Sequence, residues 1–213
     1  KVYNILRSRK SAVTHIMNYW VERKNFNILD IRKTLILCNS KFIEGSAKNI
    51  HFGIIHRFLH THSRQAYISN DSDANCKFCL LLGNINRETI IHCFLDCPKV
   101  MDFWPKLEIV LNLSEPGLIL SNHVKIFGAL SRDKISQLVL NYLIQNAQKC
   151  IWKNRQKLEN RDLDIDLWYD FKERLLFNMN RLYRMMGRNY FASHFVRQRI
   201  VKISRYKLVL NFV

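Results

Sequence analysis

The sequence predicts a mainly α protein, an irregular helical bundle with a small knuckle rich in cysteine and histidine inserted near the middle. Three observations predict it. Six glycines and three prolines in 213 residues leave long stretches without a breaker. Apolar residues recur at i, i+3, i+4 and i+7 in most of those stretches. Four of the six cysteines fall within 22 residues, between segments almost free of cysteine. At 48 % apolar and 12 % aromatic the chain has ample material for a core, which argues against wholesale disorder.

Composition divides the chain into a basic N-terminal helical segment (residues 1–69), a central segment carrying the cysteines (70–112) and a basic C-terminal helical bundle (113–213), read as parts of one compact unit. In the first segment Ser11 is placed to cap a helix with the stripe Val13, Ile16, Met17, Trp20 and Val21, on which Trp20 reads as a core anchor. A short apolar element runs from Ile28 to Leu37. Ser46 follows a break at Gly45 and opens a helix from Ala47 to about His60, with Ile50, Ile54, Ile55, Phe58 and Leu59 as its apolar face. His51, His56, His60 and His62 fall mostly off that face with Arg57 and Arg64. With no cysteine or carboxylate nearby to complete a second metal site, they read as a solvated or phosphate-facing edge.

Residues 69–75 form a polar loop, and Gly83 to Asn86 a second one. Between and after them stands the strongest chemical signal in the chain: Cys76-Lys-Phe-Cys79, twelve residues, His92, four residues, Cys97. A Cys-x-x-Cys turn can set two thiolates on one ion, and a short helix over Glu88–Phe94 would bring His92 and Cys97 about one turn apart. This spacing predicts a structural Zn2+ whose four protein ligands leave no position open for water. Cys93 is the alternative fourth ligand; His92 is preferred because Cys93 would point about 100° around the helix. Buried thiols or disulfides are the other readings, and the spacing favours metal over both.

Pro98 suits the first turn of the next helix, which carries Val100, Met101, Phe103, Trp104, Leu107 and Val110. Trp104, seven residues past the last ligand, is expected to pack on the metal turn. A long helix from about Asp133 to Leu158 is apolar around much of its circumference, as befits the centre of a bundle, and turns basic at Lys149, Lys153, Arg155 and Lys157. Another runs from about Asp164 to Met186 on the stripe Trp168, Phe171, Leu175, Met179, Leu182, Met186. On a different face Arg174, Arg181 and Arg188 recur every seven residues, with Arg184 beside them. The stretch from Tyr190 to about Arg205 repeats this helical pattern, with Arg197 and Arg199 among its basic residues.

Net charge is +17, unevenly spread. Residues 1–69 hold 12 Lys/Arg against 3 Asp/Glu, residues 70–133 hold 6 against 8, and residues 134–213 hold 16 against 6. The near-neutral middle therefore reads as a staple, and the basic flanks as the surface for a polyanion, RNA or DNA first. Arg57, Arg64, Lys153, Arg155, Arg174, Arg181, Arg184, Arg188, Arg197 and Arg199 are the candidate phosphate contacts. A protein-interaction or scaffold module docking on an acidic partner is the alternative. No uncharged apolar run is long enough to span a membrane. The start at Lys1, without a signal peptide, suggests a segment of something longer. The sequence has no phosphate-binding glycine loop, nucleophile elbow, His-Glu-x-x-His or paired-carboxylate cluster, so no catalytic centre is expected. Asp162, Asp164 and Asp166 precede a helix and read as capping and dipole compensation.

These residues resemble the C-terminal zinc-binding region of the reverse transcriptase polyprotein of LINE-type, non-LTR retrotransposons. The likeness rests on Cys76-x2-Cys79, Glu88-Thr89-x-x-His92, Cys97 and Phe103-Trp104. More loosely, Ile54-Ile55-His56-Arg57 lies upstream, and Ile126-Phe127-Gly128 and Lys149-Cys-Ile-Trp152-Lys-Asn-Arg155 lie downstream. It covers about residues 45–160. The twelve residues between Cys79 and His92 exceed the seven or eight common in many members. The resemblance implies a non-catalytic domain behind the polymerase, either of an element or of a host protein derived from one. It would hold template RNA or target DNA during target-primed reverse transcription, with the upstream reverse transcriptase domains as partners in cis, in a ribonucleoprotein of nucleus and cytoplasm.

Overall fold

Two stretches without an interior breaker form the two longest helices. The computed structural model describes residues 18–22, 26, 42–69, 73–159, 165–204 and 207–212. The expected Ser11 helix start, the Ile28–Leu37 element, Asp162 and Asp164 lie outside them. In chain order the helices are α1 (Gly45–Ile55), α2 (His62–Ile68), α3 (Lys77–Leu81), α4 (Pro98–Met101), α5 (Phe103–Ser114), α6 (Asn122–Phe127), α7 (Lys134–Glu159), α8 (Leu167–Met186) and α9 (Arg188–Phe191). Five-residue π-helical turns at His92–Asp96 and Ala192–Val196 precede α4 and follow α9. The fold is mainly α, with a Cys/His cluster near the middle and one small two-stranded antiparallel sheet, β1 (Val201–Ser204) with β2 (Lys207–Leu210). Among the described residues no helix is long and apolar enough to cross a membrane.

Asp133 accepts hydrogen bonds from the amides of Ile135 and Ser136 at the start of α7, and Asp166 does the same for Trp168 and Tyr169 in α8. Both carboxylates meet the positive end of a helix dipole. α7 is the centre: Val139, Leu140, Leu143, Ile144, Ala147 and Ile151 are fully buried, and the helix packs on α1, α3, α5 and α8. Its buried amides tie on α8, α6 and the loop after α6. Asn146 joins Asn178 of α8 at 2.9 Å, Gln148 reaches the carbonyls of Lys125 and Ile126, and Asn141 bonds both the N–H and C=O of Ala129. Gly128 is needed beside Asn141: its φ is +102°, and a Cβ there would run into the amide oxygen. Trp20 is the core anchor expected, donating to the Ile55 carbonyl at 2.9 Å from a fully buried position.

The helical pattern expected past Tyr190 ends at Val196. Arg199 adopts φ +58°, and the chain turns into the β hairpin. The reason is periodicity: Val201 and Ile203 alternate with Lys202 and Ser204, an in-out pattern of period two that buries Val201.

The four histidines do not share one edge. His60 is exposed and His56 half-buried, but His51 and His62 are buried. His51 Nδ1 pairs with Gln148 Oε1 at 2.8 Å across the α1–α7 contact, and burial pushes its pKa down to about 4 despite that bond. Unfolded, the same imidazole titrates near 6.5. As pH falls the unfolded chain takes up this proton first, so His51 favours the fold fully above about pH 6.5 and progressively less toward pH 4. The urea midpoint is expected to fall over that window, and His51→Gln to flatten the fall. An identical pH profile in the variant would contradict this.

Candidate metal centre

The two halves of the knuckle close through a short antiparallel bridge. Asn75 pairs with Arg87, the Cys76 amide donates to Asn86 O at 2.8 Å, and the Glu88 amide donates to Ala74 O at 2.8 Å. Cys76 sits at the head of α3 and Cys79 within it. His92 begins the π-helical turn and Cys97 follows it. The turn matters for geometry. On an α-helix five residues advance by about 500°, leaving Cys97 about 140° away from His92. Here the Cys97 amide donates to His92 O at 2.8 Å, an i to i−5 bond, and the wider turn brings the two side chains into one cluster.

The ligand atoms of Cys76, Cys79, His92 and Cys97 all lie within 4.8 Å of one another, and all four residues are buried. Cys76 Sγ and Cys79 Sγ each stand 3.9 Å from Cys97 Sγ, and His92 Nε2 is 3.2 Å from Cys79 Sγ. A tetrahedron with metal–sulfur bonds of about 2.3 Å has edges of about 3.8 Å. The residues therefore fit a four-coordinate metal ion. None is in a disulfide. Cys93 is buried outside the cluster, where desolvation pushes its thiol well above the ordinary value.

The electrostatics point the same way. The Cys97 thiol and His92 hydrogen-bond Cys76, as does the Cys79 amide, and bring it down to about 4. The same bond to Cys76, and burial, push Cys97 up, and burial with the Cys76 charge pushes Cys79 up. Thiols this close cannot all ionise unaided, because each thiolate raises its neighbours, so a second or third thiolate needs a cation beside it. The Lys99 amide is hydrogen-bonded to Cys97, and the Asn86 side chain to Cys79. These contacts orient the sulfurs from outside the coordination sphere. Trp104 Nε1 donates to Phe94 O at 2.8 Å, which ties it to the π-helical turn between His92 and Cys97.

A buried ionic group behind the cluster joins it to α7. Glu88 is fully buried and accepts from Arg155 Nε at 2.6 Å and from the His62 amide at 2.9 Å. His62 Nδ1 lies 2.9 Å from Asn75 O and 3.3 Å from Glu88 Oε2. Burial alone would raise the Glu88 carboxyl, but His62 and Arg155 outweigh it and hold it below the ordinary range. Arg155, 2 % exposed, also donates to His60 O and lies 4.5 Å over the Trp152 ring. This corrects the sequence expectation for Arg155: it is the internal partner of Glu88, with no surface to offer a phosphate. The group was readable only in part, because Glu88 and Arg155 are 67 residues apart.

Of the other basic candidates, Lys153, Arg184, Arg188, Arg197 and Arg199 are exposed. Arg174 and Arg181 are tied to acids, Arg174 Nε to Asp170 at 2.5 Å and Arg181 Nη2 to Glu44 at 3.8 Å, beside a groove of about 380 Å³ that Lys149 also lines. Arg57 and Arg64 stand together at the α1–α2 turn, where Arg64 Nη1 donates to Arg57 O at 2.8 Å. Comparisons with protein-family models, curated proteins and solved structures gave no match.

Proposed function

We propose that the chain is a non-catalytic nucleic-acid-binding domain in which a structural zinc fixes the basic helical blocks relative to one another. Three thiolates and one imidazole in a closed tetrahedral set suit zinc by donor softness and geometry. The observation that carries the binding role is the distribution of charge: residues 134–213 bear 16 Lys/Arg against 6 Asp/Glu, and Lys153, Arg184, Arg188, Arg197 and Arg199 are exposed. The likeness to LINE-type reverse transcriptases supports a place behind the polymerase, holding template RNA or target DNA.

Each neutralised phosphate releases counter-ions, so for four contacts the affinity for single-stranded RNA should fall about 50-fold between 50 and 200 mM salt. Fluorescence titration measures this. Arg184→Glu with Arg188→Glu is expected to weaken binding at every salt and flatten the slope. A chain that binds neither RNA nor DNA at low salt would refute the proposal in favour of docking on an acidic protein.

A further inference from the structure

The end of α1 is built in an unusual way. Arg57 takes φ +57°, a left-handed conformation that glycine adopts at far lower cost. The Arg57 amide donates to Ile54 O at 3.1 Å and the Phe58 amide to Gly53 O at 2.8 Å, so the helix closes on itself with an arginine where glycine is favoured. Gly53 leaves the room: a Cβ there would meet the Leu59 side chain as the chain folds back.

This turn sets aromatic rings on the surface. Phe52 and His56 stack at 4.0 Å between centroids, and His56 and Phe58 lie within 21° of parallel at 6.0 Å. Phe52 and Phe58 are 47 % and 55 % exposed, an unfavourable state for large apolar rings without a partner. The Arg57 carbonyl holds Arg64, whose guanidinium lies 5.7 Å from the Phe58 centroid. Tyr67 is 88 % exposed one turn further along α2. Burial keeps His56 below its ordinary pKa, which favours the uncharged ring. Between Glu44 and Asp71 the sequence contains no acidic residue.

From this juxtaposition we infer that Phe52, His56 and Phe58, flanked by Arg57, Arg64 and Tyr67, form a stacking platform for unpaired bases of single-stranded RNA. The inference rests on the nucleic-acid reading above and specifies where and how the strand is held. Aromatic faces bind bases without regard to sequence, and the adjacent arginines suit the phosphates between them. Single strands are favoured over duplexes because only their bases can leave the stack and lie on a ring.

The test compares a 12-nucleotide uridine-rich RNA with a 12-base-pair RNA duplex, titrated with wild type and with Phe52→Leu/Phe58→Leu. Leucine keeps apolar bulk at two surface positions and removes the rings. The variant is expected to lose about tenfold or more on the single strand while binding the duplex as wild type does. Equal single-strand affinity in the two proteins would overturn the platform alone. Failure of wild type to bind either RNA would also overturn the platform, and failure to bind a DNA single strand or duplex of the same length as well would overturn the nucleic-acid reading with it. A second measurement needs no variant: 5-iodouridine in the single strand should photo-crosslink to the tryptic peptides 49–57 and 58–64. Crosslinks found only elsewhere would overturn the inference.

Discussion

Withdrawal of the metal is expected to damage the fold more than any other single change. Structural zinc contributes on the order of 10 kcal/mol to the folding of small metal-dependent units. Elemental analysis should find one zinc per chain, and Cys97→Ser should lose it with a large fall in Tm. Hydrogen exchange should then show residues 74–104 opening first, while α7 and α8 retain protection longer, because they also pack on each other and α7 on α1. Cys93→Ser is the control: that thiol lies outside the cluster, so zinc content should not change. A Cys97→Ser protein that keeps both its zinc and its Tm would remove the staple from the account.

Glu88→Gln and Arg155→Met are expected to be the next most damaging substitutions. Removing one member of a buried ion pair leaves the other charged and desolvated, a cost of about 3–5 kcal/mol. Here the carboxylate is fully buried and Arg155 is 2 % exposed, so solvent cannot compensate. Glu88→Gln combined with Arg155→Met should recover part of the loss, because neither charge is then stranded, and urea denaturation of the four proteins closes the cycle. The same series separates two roles for Arg155. A phosphate contact would weaken RNA binding at unchanged stability; an internal partner of Glu88 lowers stability and leaves RNA affinity unchanged at temperatures where the protein stays folded. Purely additive losses across the cycle would show that the pair is not coupled.

Local information was legible in the sequence and non-local information was not. The four clustered residues could be named because a Cys-x-x-Cys turn and a His-x4-Cys step are short-range geometry, and α7 and α8 because each carries an uninterrupted helical pattern. The π-helical turn that brings Cys97 round to His92 has no composition signal; it is required only once both residues share one ion. The errors over Arg155, His51 and His62 have a common cause. Each is a polar side chain buried by a partner distant in sequence, Glu88 for Arg155, Gln148 for His51, and Glu88 with Asn75 for His62. Charge counting alone assigns such residues to the surface. The hairpin after Arg199 was missed because four residues of alternation are too few to outweigh a preceding helical pattern.

The bridge at the base of the knuckle bears on how freely this region can change length. Asn75 to Cys76 and Asn86 to Glu88 are pinned to each other, whereas every residue from Leu80 to Arg87 is exposed. Lengthening an exposed loop costs little chain entropy, since each doubling adds only about 0.6 kcal/mol. Of the twelve residues separating Cys79 from His92, the exposed stretch from Leu80 to Arg87 is thus an excursion that leaves from, and returns to, a fixed seam. Residues added or removed between Leu80 and Arg87 should therefore leave the four clustered side chains in place, because the seam and not the spacing sets their positions.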